Sequence, residues 1–301
     1  AIEPSRRDAG TAYVVADAHR LDDNHPYLFR TRDHGQSWEL LSQGLPNDQH
    51  LYVVREDPTD PMLLYVGAER GLYYSRDGGK SFQDLRNNLP PVGVADIEVR
   101  HDDLILGTRR GIWILDDISA LRAFTPEVKS EAVHLFTPRP AHRFRLDSRW
   151  DQKREGEAPN APLGLLIAYW LKEERKDEPG RSPHAPLKLE IFDSQGQLVR
   201  TLSSVVKPNR YAPDDADEPK DEAKPGLTTD AGINRVQWDL RYEGARRLKD
   251  AKVFPAKPDE GPLVLPGEYT VRLTVDGKTE TATATVQADP RSPVTPEQLQ
   301  Q

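Results

Sequence analysis

Two stretches of this chain repeat one another 44 residues apart, and this constrains the fold more than any other feature of the sequence. The first is Thr31-Arg32-Asp33-His34-Gly35-Gln36-Ser37-Trp38, and the second is Ser75-Arg76-Asp77-Gly78-Gly79-Lys80-Ser81-Phe82. Each follows a small-residue strand, at residues 12–16 and 64–68, and each precedes a turn, Gly44-Leu45-Pro46 or Asn88-Leu89-Pro90. A third copy begins with Leu104-Ile105-Leu106-Gly107-Thr108 and Gly111-Ile112-Trp113-Ile114, then ends at Asp116-Asp117 without the Asp-containing turn. Short β-branched and aromatic runs with a period of about 40–45 residues are the pattern of four-stranded propeller blades. In the third copy the innermost strand is expected over 92–100, the next over 103–107 and the third over 111–115.

From about residue 124 the repeat gives way to a different pattern. Strands are expected over 133–136, 142–146, 163–170, 187–192, 198–202, 234–240, 269–275 and 279–287. Tyr269, Val271, Leu273 and Val275 alternate with polar neighbours, as half-buried strands do. Asp276-Gly277 is a type I′ hairpin signal, and Asp193-Ser194-Gln195-Gly196 marks a longer turn. This many strands in about 150 residues suits a β-sandwich of immunoglobulin size. Charged inserts at 172–186 and 207–225 read as exposed loops, and Thr295-Pro296-Glu297 as a helix start. The expected organisation is therefore all-β: about two to three blades over 1–124, a connector over 125–160, a sandwich over 161–290 and a tail over 291–301.

The repeated turns match the Ser/Thr-x-Asp-x-Gly-x-x-Trp/Phe pattern of the Asp-box, or BNR repeat. In that pattern the Asp accepts backbone hydrogen bonds, the Gly takes positive φ and the aromatic packs under the hairpin. Asp33, Gly35, Trp38, Asp77, Gly79 and Phe82 are accordingly structural. The first part resembles the C-terminal blades of exported bacterial proteins related to the sortilin-type propeller and to xyloglucanase-type glycoside hydrolases. The second part, with Gly232-Ile233-Asn234-Arg235-Val236-Gln237-Trp238-Asp239-Leu240 and Pro266-Gly267-Glu268-Tyr269-Thr270-Val271, resembles the immunoglobulin-like module of flagellar hook-capping proteins. These resemblances imply secretion, or a place in the periplasm or cell envelope, and a glycan or peptide ligand. A ring needs about four to eight blades, so the remaining blades are expected N-terminal to this chain, as partners of those present.

Strand parity locates the chemistry. In an up-and-down blade the connections alternate ends, so loops 16–26, 67–71 and 107–111 share one end with loops 42–50 and 86–93. The first of these is about eight residues longer than its equivalents. It carries His19, Asp22, Asp23 and His25, candidate ligands for a divalent metal, since imidazole and carboxylate suit such ions. No other cofactor is implied. Asp22, Asp23 and Glu69 are candidates for the carboxylate pair that glycoside hydrolysis requires. Glu69, Arg70, Arg109 and Arg110 are candidate ligand-binding residues, the arginines offering forked donors to a carboxylate or sulfate.

Composition removes other classes. With no cysteine the chain has no disulfide, thiolate nucleophile or Cys-bound zinc. A net charge of −8 without a basic cluster argues against a nucleic-acid partner. No apolar run reaches the ~18–20 residues of a membrane span. The sequence thus predicts a binding role, with two alternatives: a glycoside hydrolase whose catalytic groups lie mostly elsewhere, or an assembly scaffold.

Overall fold

The computed structural model describes residues 1–144, 161–175, 185–205, 226–245, 260–294 and 298. It divides into two compact units, Ala1–Ile118 and Ser119–Gln301. The first unit is a row of three antiparallel sheets. One contains β1 (Ile2–Pro4), β2 (Ala12–Ala16), β3 (Tyr27–Thr31) and β4 (Glu39–Leu40), hydrogen-bonded in chain order. The next contains β5 (Leu51–Glu56), β6 (Leu64–Ala68), β7 (Gly71–Ser75) and β8 (Gln83–Asp84), again in chain order. The third has three strands, β9 (Val94–Arg100), β10 (Asp103–Thr108) and β11 (Gly111–Leu115). The first unit, described throughout, contains two four-stranded blades and a third that stops at its third strand, as the loss of the Asp turn implies. β1 is the strand that pattern reading misses, because three residues around a proline carry no periodicity.

The blades pack through apolar faces. Tyr13, Val15, Leu28 and Leu41 of the first join Leu51, Val54, Leu64, Val66 and Phe82 of the second in one core. β6 is buried along its whole length, and Gly67 lets it approach the third blade: a Cβ there would lie 2.3 Å from the Val94 carbonyl oxygen. The innermost strands are also tied by one side chain. Arg55 on β5 donates to Glu3 on β1 at 2.6 Å, to Asp96 on β9 at 3.0 Å and to the Ile97 carbonyl at 2.7 Å.

The repeated turns fold alike. In the second copy Asp77 accepts hydrogen bonds from Ser75 Oγ (2.7 Å), Ser81 N (2.9 Å) and Ser81 Oγ (2.6 Å), while Gly79 N donates to Ser75 Oγ at 2.8 Å. In the first, Asp33 accepts from Thr31 Oγ1, Ser37 N and Ser37 Oγ at 2.9, 2.9 and 2.6 Å, and Gly35 N donates to Thr31 Oγ1 at 2.8 Å. Gly35 and Gly79 both sit at φ 86°, which favours glycine. The aromatic positions differ. Phe82 is buried, whereas Trp38 is 47% exposed and donates its Nε1–H to the Gly35 carbonyl, so only the second copy has its aromatic under the hairpin.

This network acts on acidity. Hydrogen bonds from the Ser37 hydroxyl and amide, with that of Thr31, bring Asp33 down from 3.8 to about 2. For Asp77, burial is the largest influence and raises the pKa, but the bonds from Ser81 and Ser75 outweigh it and the net shift is downward. A depressed carboxyl stabilises the fold above its unfolded pKa, and that stability is lost as pH falls through the folded value. Asp33 therefore contributes fully above about pH 4 and ceases to contribute near its folded pKa of about 2. Asp77→Ala, which strands the Ser81 amide, is expected to cost about 1–3 kcal/mol in urea unfolding at pH 7. Asp33→Ala, at the more exposed copy, should cost less, and equal losses would contradict this ranking.

The second unit opens with α1 (Ser119–Ala123) and α2 (Pro126–Ser130), the latter capped by Thr125, whose Oγ1 accepts from Val128 N. Two sheets follow. One orders β12 (Val133–Leu135), β14 (Leu165–Leu171) and β17 (Gly232–Trp238). The other orders β13 (Ala141–His142), β21 (Lys278–Gln287), β20 (Gly267–Val275), β15 (Lys188–Phe192) and β16 (Leu198–Ser203). Leu165, Ile167, Tyr169, Leu171 and Trp238 of one sheet and Leu189, Ile191, Val199, Val271 and Leu273 of the other form one core, so the unit is a β-sandwich. Asp276 and Gly277 both have positive φ, at 49° and 78°, as a type I′ turn requires. A short antiparallel pair of β18 (Arg241–Glu243) and β19 (Glu260–Leu263) is an addition to the sequence reading. Both strands are largely polar, β19 contains Pro262, and Gly261 has no room for a Cβ, which would meet the Tyr242 carbonyl oxygen at 2.2 Å. The acidic stretch within 207–225 and the helix start at Thr295 lie outside the described residues.

Candidate functional site

Strand parity brings the predicted loops together at one end of the first unit. Asp17 and His19 follow β2, Asp48 to His50 precede β5, Glu69 and Arg70 form the β6–β7 turn, and Arg109 and Arg110 form the β10–β11 turn. Backbone bonds stitch these segments: Glu69 N donates to the His50 carbonyl at 3.1 Å, and Arg109 N to the Gly93 carbonyl at 3.4 Å. The geometry follows from register. Because β5, β6 and β7 run alternately, the start of β5 lies beside the β6–β7 turn, with Leu51 opposite Ala68.

The long first loop separates into two small clusters. Residues 19–21 form a single 3-10 turn that ends with Asp22 in the left-handed conformation at φ 61°. Beyond it, Asp23 Oδ1 lies 2.9 Å from His25 Nδ1, and Asp23 Oδ2 accepts from the Tyr27 hydroxyl at 2.8 Å. The His25 amide, the Tyr27 hydroxyl and the His25 ring hold the Asp23 carboxyl below its usual range. On the other side, Asp17 Oδ1 accepts from the His19 amide at 3.0 Å and lies 2.6 Å from His19 Nδ1. Burial is the largest influence on the Asp17 carboxyl and raises its pKa, but the His19 hydrogen bonds and the nearby His19 and His50 rings bring it below its usual range.

His50 belongs with the second cluster. Its ring stacks on His19 with centroids 4.5 Å apart and an interplanar angle of 21°, and meets the Tyr52 ring edge-on at 4.8 Å. It is 5% exposed, yet neither ring nitrogen makes a hydrogen bond. The Glu69 carboxylate lies 3.9 Å from His50 Nδ1, within ion-pair range but too far for a hydrogen bond. Donor atoms of Asp17, His19 and His50 all lie within 4.8 Å of one another. The sequence singles out His19 but not His50, since a lone histidine before an apolar strand reads as an ordinary loop end. The length of loop 16–26 is the only available signal that something opposite it needs reaching.

The arginines differ in freedom. Arg70 is bound to Asp48 at 2.6 Å, with Glu69 4.0 Å from its Nε. Arg109 lies over the Tyr52 ring at 5.6 Å, a cation–π contact. Among the described residues neither Arg109 nor Arg110 has a carboxylate partner, and both are exposed. Beside them, Ile112 and Ile114 of β11 are 75% and 56% exposed. β11 therefore buries little of its apolar surface.

No family model and no curated protein matches the chain. Among solved structures, it is similar to the extracellular domain of the one-component system BT4673 from B. thetaiotaomicron at 12% identity and TM-score 0.30. That alignment covers 96% of this chain and 31% of the other, so this chain spans about a third of its length. A structure of YCF48 bound to D1 peptide is similar at 13% identity and TM-score 0.31, over 94% of this chain and 80% of that one. An ancestral GH74 enzyme is similar at 10% identity and TM-score 0.28, over 93% and 42%. No helix among the described residues is long and apolar enough to cross a membrane. On its own architecture the chain is an all-β protein, in which propeller-type blades precede a β-sandwich.

Proposed function

We propose that this is an exported binding protein whose first unit holds an acidic glycan at the loop end of its blades, with the sandwich serving as spacer or attachment module of immunoglobulin-like type. The observation that carries this reading is that Arg109 and Arg110, which have no carboxylate partner among the described residues, form one exposed turn beside Tyr52. Guanidinium groups without an internal carboxylate are suited to forked hydrogen bonds with a carboxylate or sulfate, and the Tyr52 ring under Arg109 steadies that guanidinium. Arg70 is already engaged by Asp48 and plays a lesser part.

A hydrolase is less well supported. A general acid needs its pKa raised toward the working pH, whereas hydrogen bonding holds Asp23 low. The remaining candidates, Asp22 and Glu69, sit on separate loops. Blades N-terminal to this chain are the expected partners for the first unit.

The test is an array of uronic-acid-bearing, sulfated and neutral glycans beside acidic peptides, probed with the whole chain. Binding to the acidic glycans is expected, with about a tenfold loss in an Arg109→Ala/Arg110→Ala double variant, equivalent to one charged hydrogen-bond pair. Binding to acidic peptides alone would change the ligand class. No binding at all, or undiminished binding by the double variant, would overturn the proposal.

A further inference from the structure

We infer that Asp17, His19 and His50 form a site for a divalent transition-metal ion of the zinc type. The starting point is His50. A neutral imidazole carries one donor and one acceptor, and burying either without a partner costs about 1–3 kcal/mol. Its two nitrogens are both buried and both without a hydrogen bond, a condition that a bound ion relieves by taking one lone pair directly. The other ring position can then turn its N–H toward Glu69, whose carboxylate is 3.9 Å away in the unbound arrangement. That is the carboxylate–histidine–metal relationship that fixes a ligand's tautomer and orientation.

On the exposed loop, Asp17 Oδ1 and His19 Nδ1 already lie 2.6 Å apart. An ion entering between them displaces the Nδ1 proton to solvent and takes both atoms as ligands. Metal–ligand bonds of about 2.0–2.2 Å bring neighbouring ligand atoms of a tetrahedral site to about 3.5 Å apart. The three donors here lie within 4.8 Å of one another, and closing on an ion also turns the His19 ring out of its stack on His50, because an ion lies in the plane of an imidazole ligand. Asp17 and His19 are on an exposed loop and can supply the movement, while His50, anchored at the start of β5, stays fixed. Two imidazoles and a carboxylate favour zinc, nickel or cobalt over calcium or magnesium, which prefer all-oxygen sites. Three protein ligands leave a fourth position open to solvent, where water or an oxygen of a bound ligand can coordinate.

The site also accounts for the length of the first loop. A two-residue connection like those in blades two and three would still hold Asp17 but would end before His19. Asp22, Asp23 and His25 play no part in this inference, because Asp23 and His25 are paired with each other and with Tyr27.

The experiment is a titration of the whole chain, stripped with a chelator, with Zn2+ by calorimetry and with Co2+ by visible absorption. One ion per chain is expected, with tetrahedral Co2+ bands and a rise in melting temperature on adding zinc. His19→Ala and Asp17→Asn, both on the exposed loop and compatible with folding, should weaken binding at least tenfold. His25→Ala should leave it unchanged. His50→Gln tests the buried ligand, with circular dichroism showing whether the variant is folded. Absence of any zinc or cobalt binding by the wild-type chain would overturn the inference. So would binding that survives His19→Ala and Asp17→Asn, or that is lost in His25→Ala, because the ion would then lie elsewhere. Glycan binding is measured separately, so loss of the metal site and failure of the glycan reading are distinguishable.

Discussion

Trp238→Ala is expected to destabilise the chain by about 3–5 kcal/mol, the range for deleting a large buried aromatic. Trp238 is fully buried at the end of β17, opposite Leu165 of β14, and packs edge-on against Tyr269 of the facing sheet at 5.3 Å. It is therefore a bridge across the sandwich as well as a filler of one face. Its Nε1–H is satisfied by the Arg241 carbonyl at 3.0 Å, so truncation also leaves that acceptor without its donor. Phenylalanine would restore most of the volume but not the hydrogen bond, and should recover more than half of the loss. Urea unfolding followed by circular dichroism measures both variants. A loss below about 1 kcal/mol for the alanine would mean that the two sheets do not depend on this contact.

The second large effect is expected at Gly44, in the connection between the first two blades. Gly44 has φ 85°, and a Cβ there would stand 2.2 Å from the Phe82 carbonyl oxygen. The neighbouring Gln43 carbonyl accepts from Phe82 N at 2.8 Å, so the two chains are locked backbone to backbone. Gly44→Ala combines an unfavourable φ with a contact that neither segment can yield, and a cost of about 2–4 kcal/mol is expected. Gly196→Ala is the control. Its φ of 75° is equally left-handed, but nothing lies within 4 Å of its Cβ position. It should show only the conformational part of the penalty, and matching losses at the two positions would remove the clash argument.

These positions show what sequence can and cannot disclose. The Asp-boxes were legible because their function is local: Ser75, Asp77, Gly79 and Ser81 satisfy one another within seven residues. The blade strands were legible because they recur, with their turns, at a period of about 40–45 residues. β1, β18 and β19 were not, because partner strands stabilise them rather than any pattern of their own. His50 was hidden for a similar reason. Its meaning depends on His19, which is 31 positions earlier in the sequence, and on Glu69, on a different loop. Parity predicted which loops meet but could not show which side chains would lack a partner there. The exposure of Ile112 and Ile114 was equally hidden, because a run of apolar residues does not reveal whether another strand covers it.

The Arg55 contacts have a consequence for how the first unit comes apart. One guanidinium on β5 holds the inner strands of both neighbouring blades, through Glu3 on one side and Asp96 on the other. The first and third blades are thus coupled mainly through the middle one, as repeats in a linear array are coupled to their nearest neighbours. Removing that one guanidinium, as in Arg55→Ala, therefore loosens both of the interfaces that the second blade makes.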